Sequence, residues 1–245
     1  MGLFDLFKRK NTPTPNREAI VQNTFKSLDA SLKSASIAQI GGFRPSEDPL
    51  TSRFSGDFVM KEGEDWPVFN GKPLQSFLQV NIAELTYVPE ALQGLALMTV
   101  FVDQEDIPFN QPNGDGWLIR TYKNLEGLAP RKNPIQASWI KAFEIRWSLS
   151  EDEGPQYEDA WEVTDLKTFN TLEDSIDLFY DRYDNHAFTK IGGWPNLIQH
   201  ELDMGPENFI FQIGSEEKAN WNWADSGNAY FGKVDGEWVF ECQFY

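Results

Sequence analysis

The chain has 245 residues, 38 acidic against 21 basic, a formal net charge of −17, and 40% hydrophobic and 14% aromatic residues. Length and composition support one large or two small packed cores; the acidic excess argues against a binder that works by neutralising phosphates, so no nucleic-acid partner is expected, and it permits a basic protein partner, an acidic surface that serves solubility alone being the plainer reading. The single cysteine, Cys242, excludes an intrachain disulfide, and neither an 18-residue apolar run nor a signal-peptide pattern is present, so a cytoplasmic location is expected.

The chain opens on an apolar and basic tail, with Leu3, Phe4, Leu6 and Phe7 followed by Lys8-Arg9-Lys10 and a proline-punctuated linker. Residues 1–15 are read as a tail and linker outside a single domain at 16–245. Such a tail supports at most weak peripheral contact with an anionic membrane, and Leu6 stands where the myristoylation pattern wants Ser or Thr. Asn16 is a good N-cap. Val21, Phe25, Leu28, Leu32 and Ala35 then recur at helical spacing, which predicts a helix docked on the first sheet.

Gly41-Gly42 ends an apolar stretch and is followed by Phe43-Arg44-Pro45, the signature of a strand that turns sharply. Asn70-Gly71 predicts a tight hairpin. Phe77-Leu78-Gln79-Val80-Asn81 reads as a strand, residues 89–93 as one helical turn, and residues 94–102 as a strand buried on both faces. Asp103-Gln104-Glu105-Asp106 lacks calcium-loop spacing. Another strand is expected over residues 117–122. Residues 135–149 alternate, with Ile135, Ala137, Trp139, Phe143, Ile145, Trp147 and Leu149 on one parity, predicting a long strand between two halves.

The acidic run Glu151-Asp152-Glu153-Gly154 is expected in a solvated loop. Residues 172–185 predict a helix packed through Ile176, Phe179, Tyr180 and Tyr183. Lys190-Ile191-Gly192-Gly193-Trp194-Pro195 repeats the Gly-Gly-aromatic-proline pattern. Gln79 to Gly94 and Gln212 to Gly227 have the same spacing (94 − 79 = 227 − 212), so the chain reads as a duplication. The fold class expected is β-rich α+β: two similar sheet-containing halves, at about 36–130 and 186–245, with a few flanking helices.

Residues that could carry chemistry are sparse. Lys190, His200 (with Glu201 or Asp203 to orient it), Trp221 and Trp223 are the candidate binding contacts. A solvated polar histidine and tryptophans packed beneath a loop are the plainer readings of the last three. Cys242 shares parity with Trp238 and Phe240 and is expected to pack as a small apolar residue. No catalytic residue, cofactor or metal site is called for.

The blocks Ile40-Gly41-Gly42, Trp66-Pro67, Gly71-Lys72-Pro73-Leu74, residues 77–85, Lys190 to Pro195 and Trp223-Ala224-Asp225-Ser226-Gly227-Asn228-Ala229-Tyr230-Phe231 together resemble the bacterial YwqG-like family over residues 36–245. The resemblance implies a β-rich domain with an internal repeat and no established activity, so no catalytic role transfers. Some members lie in toxin–immunity neighbourhoods. The function expected is therefore a protein-interaction module, an immunity or stress-adaptor protein. The alternative is an enzyme or small-molecule binder using a cleft between the halves.

Overall fold

The computed structural model describes residues 16–135, 138–183 and 189–245. The N-terminal tail, His186, Phe188 and part of the expected 135–149 strand lie outside the described residues. Helix α1 (Arg17–Asp29) starts as its sequence dictates, with the Asn16 side chain accepting from Glu18 N–H. It ends earlier than the apolar spacing suggested, because Leu32 leads into strand β1 (Lys33–Ile40). Ala35 is thus a strand residue. The buried face of α1 (Ile20, Thr24, Leu28) also packs away from the expected partner, against α2 (Ala160–Val163) and α3 (Ser175–Arg182).

The remaining strands are β2 (Arg53–Phe54), β3 (Phe58–Lys61), β4 (Val68–Phe69), β5 (Lys72–Pro73), β6 (Gln75–Asn81), β7 (Leu97–Val102), β8 (Trp117–Tyr122), β9 (Leu128–Arg131), β10 (Phe143–Glu153), β11 (Lys190–Gly192), β12 (Phe209–Gly214), β13 (Asn228–Val234) and β14 (Glu237–Gln243). Ten of them form one antiparallel sheet in the order β14-β13-β12-β11-β1-β10-β2-β6-β7-β8. The sheet curls until its two edges meet through side chains. Trp117 of β8 lies 5.9 Å from Phe231 of β13 and 5.6 Å from Phe240 of β14 between ring centroids. The result is a nearly closed barrel whose interior is a continuous apolar core, including Phe54, Phe77, Trp117, Trp223, Phe211 and Phe231. Among the described residues no helix is long and apolar enough to cross a membrane.

Local chemistry explains the turns. Asn70 (φ 50°) and Gly71 (φ 77°) join β4 to β5, and Asp235 (φ 53°) and Gly236 (φ 87°) join β13 to β14; both central residues are left-handed, as a tight hairpin following the strand twist requires. Both Gly-Gly pairs also have positive φ. They do not, however, hold matching places. Gly41-Gly42 ends β1 and Gly192-Gly193 ends β11, two strands paired side by side.

Counting outward from the central β1/β10 pair, the strand in the place of β11 is β2. It is followed by Ser55 (φ 56°) and Gly56 (φ 86°), so the left-handed pair answering Gly192-Gly193 is Ser55-Gly56. By the same count β6 and β12 hold one place. Each carries a register shift that leaves one residue unpaired, Phe77 or Ile210, two positions before Gln79 or Gln212.

The bridging strand begins late and runs further than its alternation suggested. Strand β10 continues through Glu151, Asp152 and Glu153, so the acidic run is not a free loop. Ile140 is buried, whereas Trp139 and Leu149 are each 49% exposed.

Candidate functional site

Lys190 and Gln212 are directly opposite on β11 and β12, and so are their neighbours Ile191 and Phe211. Ile191 and Phe211 point into the barrel core. Strand alternation therefore sends Lys190 and Gln212 to the outer face. That face is buried under the chain that follows β11. Lys190 is fully buried and its ammonium donates to the Glu153 carboxylate. Ser150 Oγ donates to the other Glu153 oxygen at 3.0 Å. Burial pulls the Lys190 pKa down and Glu153 opposes it. Gly193 is needed here, since its φ is 73° and an added Cβ would sit 3.0 Å from the Glu153 side chain. Lys190 is thus half of a closed ion pair, and Glu153, expected in solvent, is the other half.

The neighbouring groups continue this buried polar layer. Gln212 accepts from Asn196 N–H at 2.8 Å, and Tyr230 O–H donates to Asn196 O at 2.6 Å. Asp159 is fully buried, and neither of its carboxylate oxygens has a hydrogen-bond partner among the described residues. Burial pushes its pKa up to about 7, opposed by Lys33 and assisted by Glu158, Glu201 and Glu162. The Lys33 ammonium lies 3.6 Å from the Trp194 ring centroid, a cation–π contact. Asp159 can hold or release a proton near neutrality, but its 0% exposure closes it to solvent. No spacing in the sequence singled it out.

The other candidates lie elsewhere. His200 is exposed, with Nδ1 2.7 Å from Glu201 O, and its own carbonyl accepts from Gln243. Trp223 is fully buried and Trp221 is 7% exposed; both rings meet Phe77 of β6, at 5.1 and 4.7 Å. They serve as core, as the plainer reading has it, and Trp223 offers no surface to a ligand. Trp221 does line a surface groove of about 430 Å³ with Ser215, Glu217, Asn220, Asn222 and Ser226. Three residues of that loop are left-handed, Asn220 (φ 56°), Ala224 (φ 47°) and Ser226 (φ 53°). Asn222 holds them by donating to Ala224 O and accepting from Ser226 N–H. Cys242 packs partly buried against the core, and burial pushes its thiol up to about 12.

The helical layer presents a different surface. Helices α1 and α3 are clamped at both ends, by Arg17 with Asp174 at 2.5 Å and by Arg182 with Asp29 at 2.5 Å. Tyr183 O–H adds a bond to Asp29 at 2.7 Å. Phe179 and Tyr183 point inward as expected, but Ile176 and Tyr180 do not: they are 45% and 43% exposed. Trp161 of α2 is exposed too. Beside Ile176 and Tyr180, Asp177 and Asp181 are exposed on α3 and Glu173 is exposed just before it, at four-residue spacing, and Glu162 follows Trp161. Burial and then Glu158 and Tyr157 raise the Tyr180 phenol pKa. On α3 the result is an exposed apolar pair, Ile176 and Tyr180, with acidic neighbours.

Among the described residues, no group of three or more His, Cys, Asp or Glu is placed to hold a metal ion. Comparison with protein families matches the chain to Domain of unknown function (DUF1963) over residues 52–232, more than half of its length. No curated protein matches.

Proposed function

The chain belongs to the DUF1963 family, a domain of unknown function, and we propose that it is a cytoplasmic protein-interaction module that receives a basic, amphipathic protein segment on the α2/α3 face. The observation that carries this reading is the exposure of Ile176 and Tyr180 beside Asp177 and Asp181 on α3, with Trp161 exposed on α2. Exposed apolar side chains with a charged rim are the pattern of an interaction surface, and the net charge of −17 sets the sign of the partner. The motif resemblance to the YwqG-like family belongs to the same reading and points to an immunity or stress-adaptor role. The cleft alternative gains no support from the geometry: the barrel interior is filled by side chains, and Lys190 is closed off while His200 lies in solvent.

The test is a labelled peptide with Lys and Leu at helical spacing, titrated into the protein and followed by anisotropy at low and high salt. Binding should weaken on the order of tenfold in the Asp177→Lys/Asp181→Lys chain, and far less in a Glu62→Lys/Asp65→Lys chain of equal net charge. Equal weakening in both, or binding indifferent to salt, overturns the reading.

A second part of the proposal concerns origin: the two flanks of the sheet descend from one duplicated half. It is supported by the shared place of β6 and β12, the unpaired residue two positions before each glutamine, and the left-handed pairs Ser55-Gly56 and Gly192-Gly193. Superposing residues 53–102 on 190–234 in a crystal structure should bring Gln79 onto Gln212. A register offset between the glutamines would sink the idea.

A further inference from the structure

We propose that residues 3–10 of this chain dock on the α2/α3 face and cover it when no partner is bound. This rests on the same surface as the proposed function, though not on the existence of a partner. Three observations meet here. The first is where the described chain begins. Arg17 bonds Asp174, the residue just before α3, so Asn16 lies at the N-terminal end of the acidic helix. Helix α3 has eight residues and is therefore only about 12 Å long. The six residues from Lys10 to Asn16 can span up to roughly 20 Å. Lys8, Arg9 and Lys10 are thus within reach of every carboxylate on α3.

The second observation is charge. With Asp5 set against the basic trio, the first ten residues carry +2 in side chains (3 − 1), and the rest of the chain carries −19 (−17 − 2). Glu173, Asp177 and Asp181 are exposed and, in the described structure, none of them is in an ion pair with another described residue. The third is apolar complementarity. Leu3, Phe4, Leu6 and Phe7 precede the basic trio, just as the exposed Ile176 and Tyr180 adjoin Asp177 and Asp181 on α3. A segment that is apolar and then basic, tethered beside a face that is apolar and acidic, has a high effective concentration at that face. A basic partner would have to displace it, which makes the segment a built-in competitor.

Zero-length carbodiimide crosslinking of the full chain tests this, because it joins a lysine to a carboxylate only in direct contact. An equal mixture of ordinary and nitrogen-15-labelled protein separates links within one chain from links between two. The expected result is Lys8 or Lys10 joined to Glu173, Asp177 or Asp181 within one chain, lost at high salt. The Ile176→Ser/Tyr180→Ser chain, altered only at exposed positions, should lose that yield on the order of tenfold. Links solely between isotopically different chains would make a second copy the occupant and overturn the proposal. So would links from Lys8 and Lys10 to carboxylates outside α2 and α3, or none at all. A chain that forms the expected link but ignores the Lys/Leu peptide loses the proposed function alone; one that binds the peptide without the link loses only this inference.

Discussion

On one flank of the sheet Arg53 of β2 lies opposite Gln79; on the other, in the same place, Lys190 of β11 lies opposite Gln212. Each glutamine stitches a covering segment to the outer face. Gln79 accepts from Val59 N–H at 2.9 Å and donates to Pro49 O and Thr51 O at 2.9 and 2.8 Å, while Gln212 accepts from Asn196 N–H. The cations beside them live differently. Arg53 spreads its guanidinium over loop oxygens, Asp48 O at 3.0 Å and Thr51 Oγ1 at 3.1 Å, and stays partly in solvent. A fork of donors can be satisfied by carbonyls without a buried counter-charge. Lys190 is a point charge with no exposure, and it is tolerated only because Glu153 is buried with it. The same scaffold thus holds one adaptable cation and one committed one.

The largest effect should come from breaking the committed pair. Glu153→Ala leaves the Lys190 ammonium buried without its carboxylate and should cost about 3–5 kcal/mol, read as a shift in the urea midpoint. Replacing both, Glu153→Leu with Lys190→Met, should recover nearly all of that loss, because an apolar pair needs no desolvation of charge. Arg53→Met on the other flank should cost about 1–2 kcal/mol, since only hydrogen bonds are lost and the site is part-solvated. Comparable losses for Glu153→Ala and Arg53→Met would erase the distinction between the flanks.

Next in size are the glutamines. Gln79→Ala removes three hydrogen bonds and should cost about 2–3 kcal/mol, with faster exchange of the Val59 amide as its local signature. If that amide is unaffected, Gln79 does not hold its covering segment.

Asp159 sharpens the contrast through pH, because it lies on the Lys190 flank with no hydrogen-bond partner among the described residues. Its folded pKa is raised to about 7, well above the usual carboxylate value of about 4, so between those values the folded chain binds more protons than the unfolded chain. Stability from this group is therefore full below about pH 4, falls as pH rises towards 7, and stays reduced above it. Asp159→Asn should make the protein about 1–2 kcal/mol more stable than the unmodified chain at pH 8. The difference should vanish near pH 4. Urea midpoints at the two pH values decide it, and an equal effect at both would show that the group does not titrate in this window.

The smallest effect belongs to the surface. Asp177→Lys with Asp181→Lys should change stability by less than about 0.5 kcal/mol, even though it weakens binding to the α2/α3 face. Marked destabilisation would mean that those carboxylates hold the helical layer together.

The sequence by itself determined what neighbouring residues decide. Asn70-Gly71 reads as a tight turn, the apolar run ending in Val102 as a strand buried on both faces, and Asn16 as an N-cap. These follow from φ preferences, alternation and capping within a few positions of one another. Tertiary structure alone decided the rest. Alternation placed Phe143, Ile145 and Trp147 on one face, but not that β10 runs on to bury Glu153, because the reason for its burial, Lys190, is 37 residues away. Helical spacing put Ile176 and Tyr180 beside Phe179 and Tyr183, yet α1 covers only part of that arc and leaves the first two in solvent. The likeness of the two Gly-Gly pairs suggested equivalent places, yet they end neighbouring strands; the pair after β2, in the sheet place of β11, is Ser55-Gly56, and serine at φ 56° fills a left-handed position where the surrounding packing holds it. Local sequence sets which conformations a residue can adopt; which side chains meet on a curled ten-stranded sheet depends on contacts between residues far apart in the chain, and no local pattern records them.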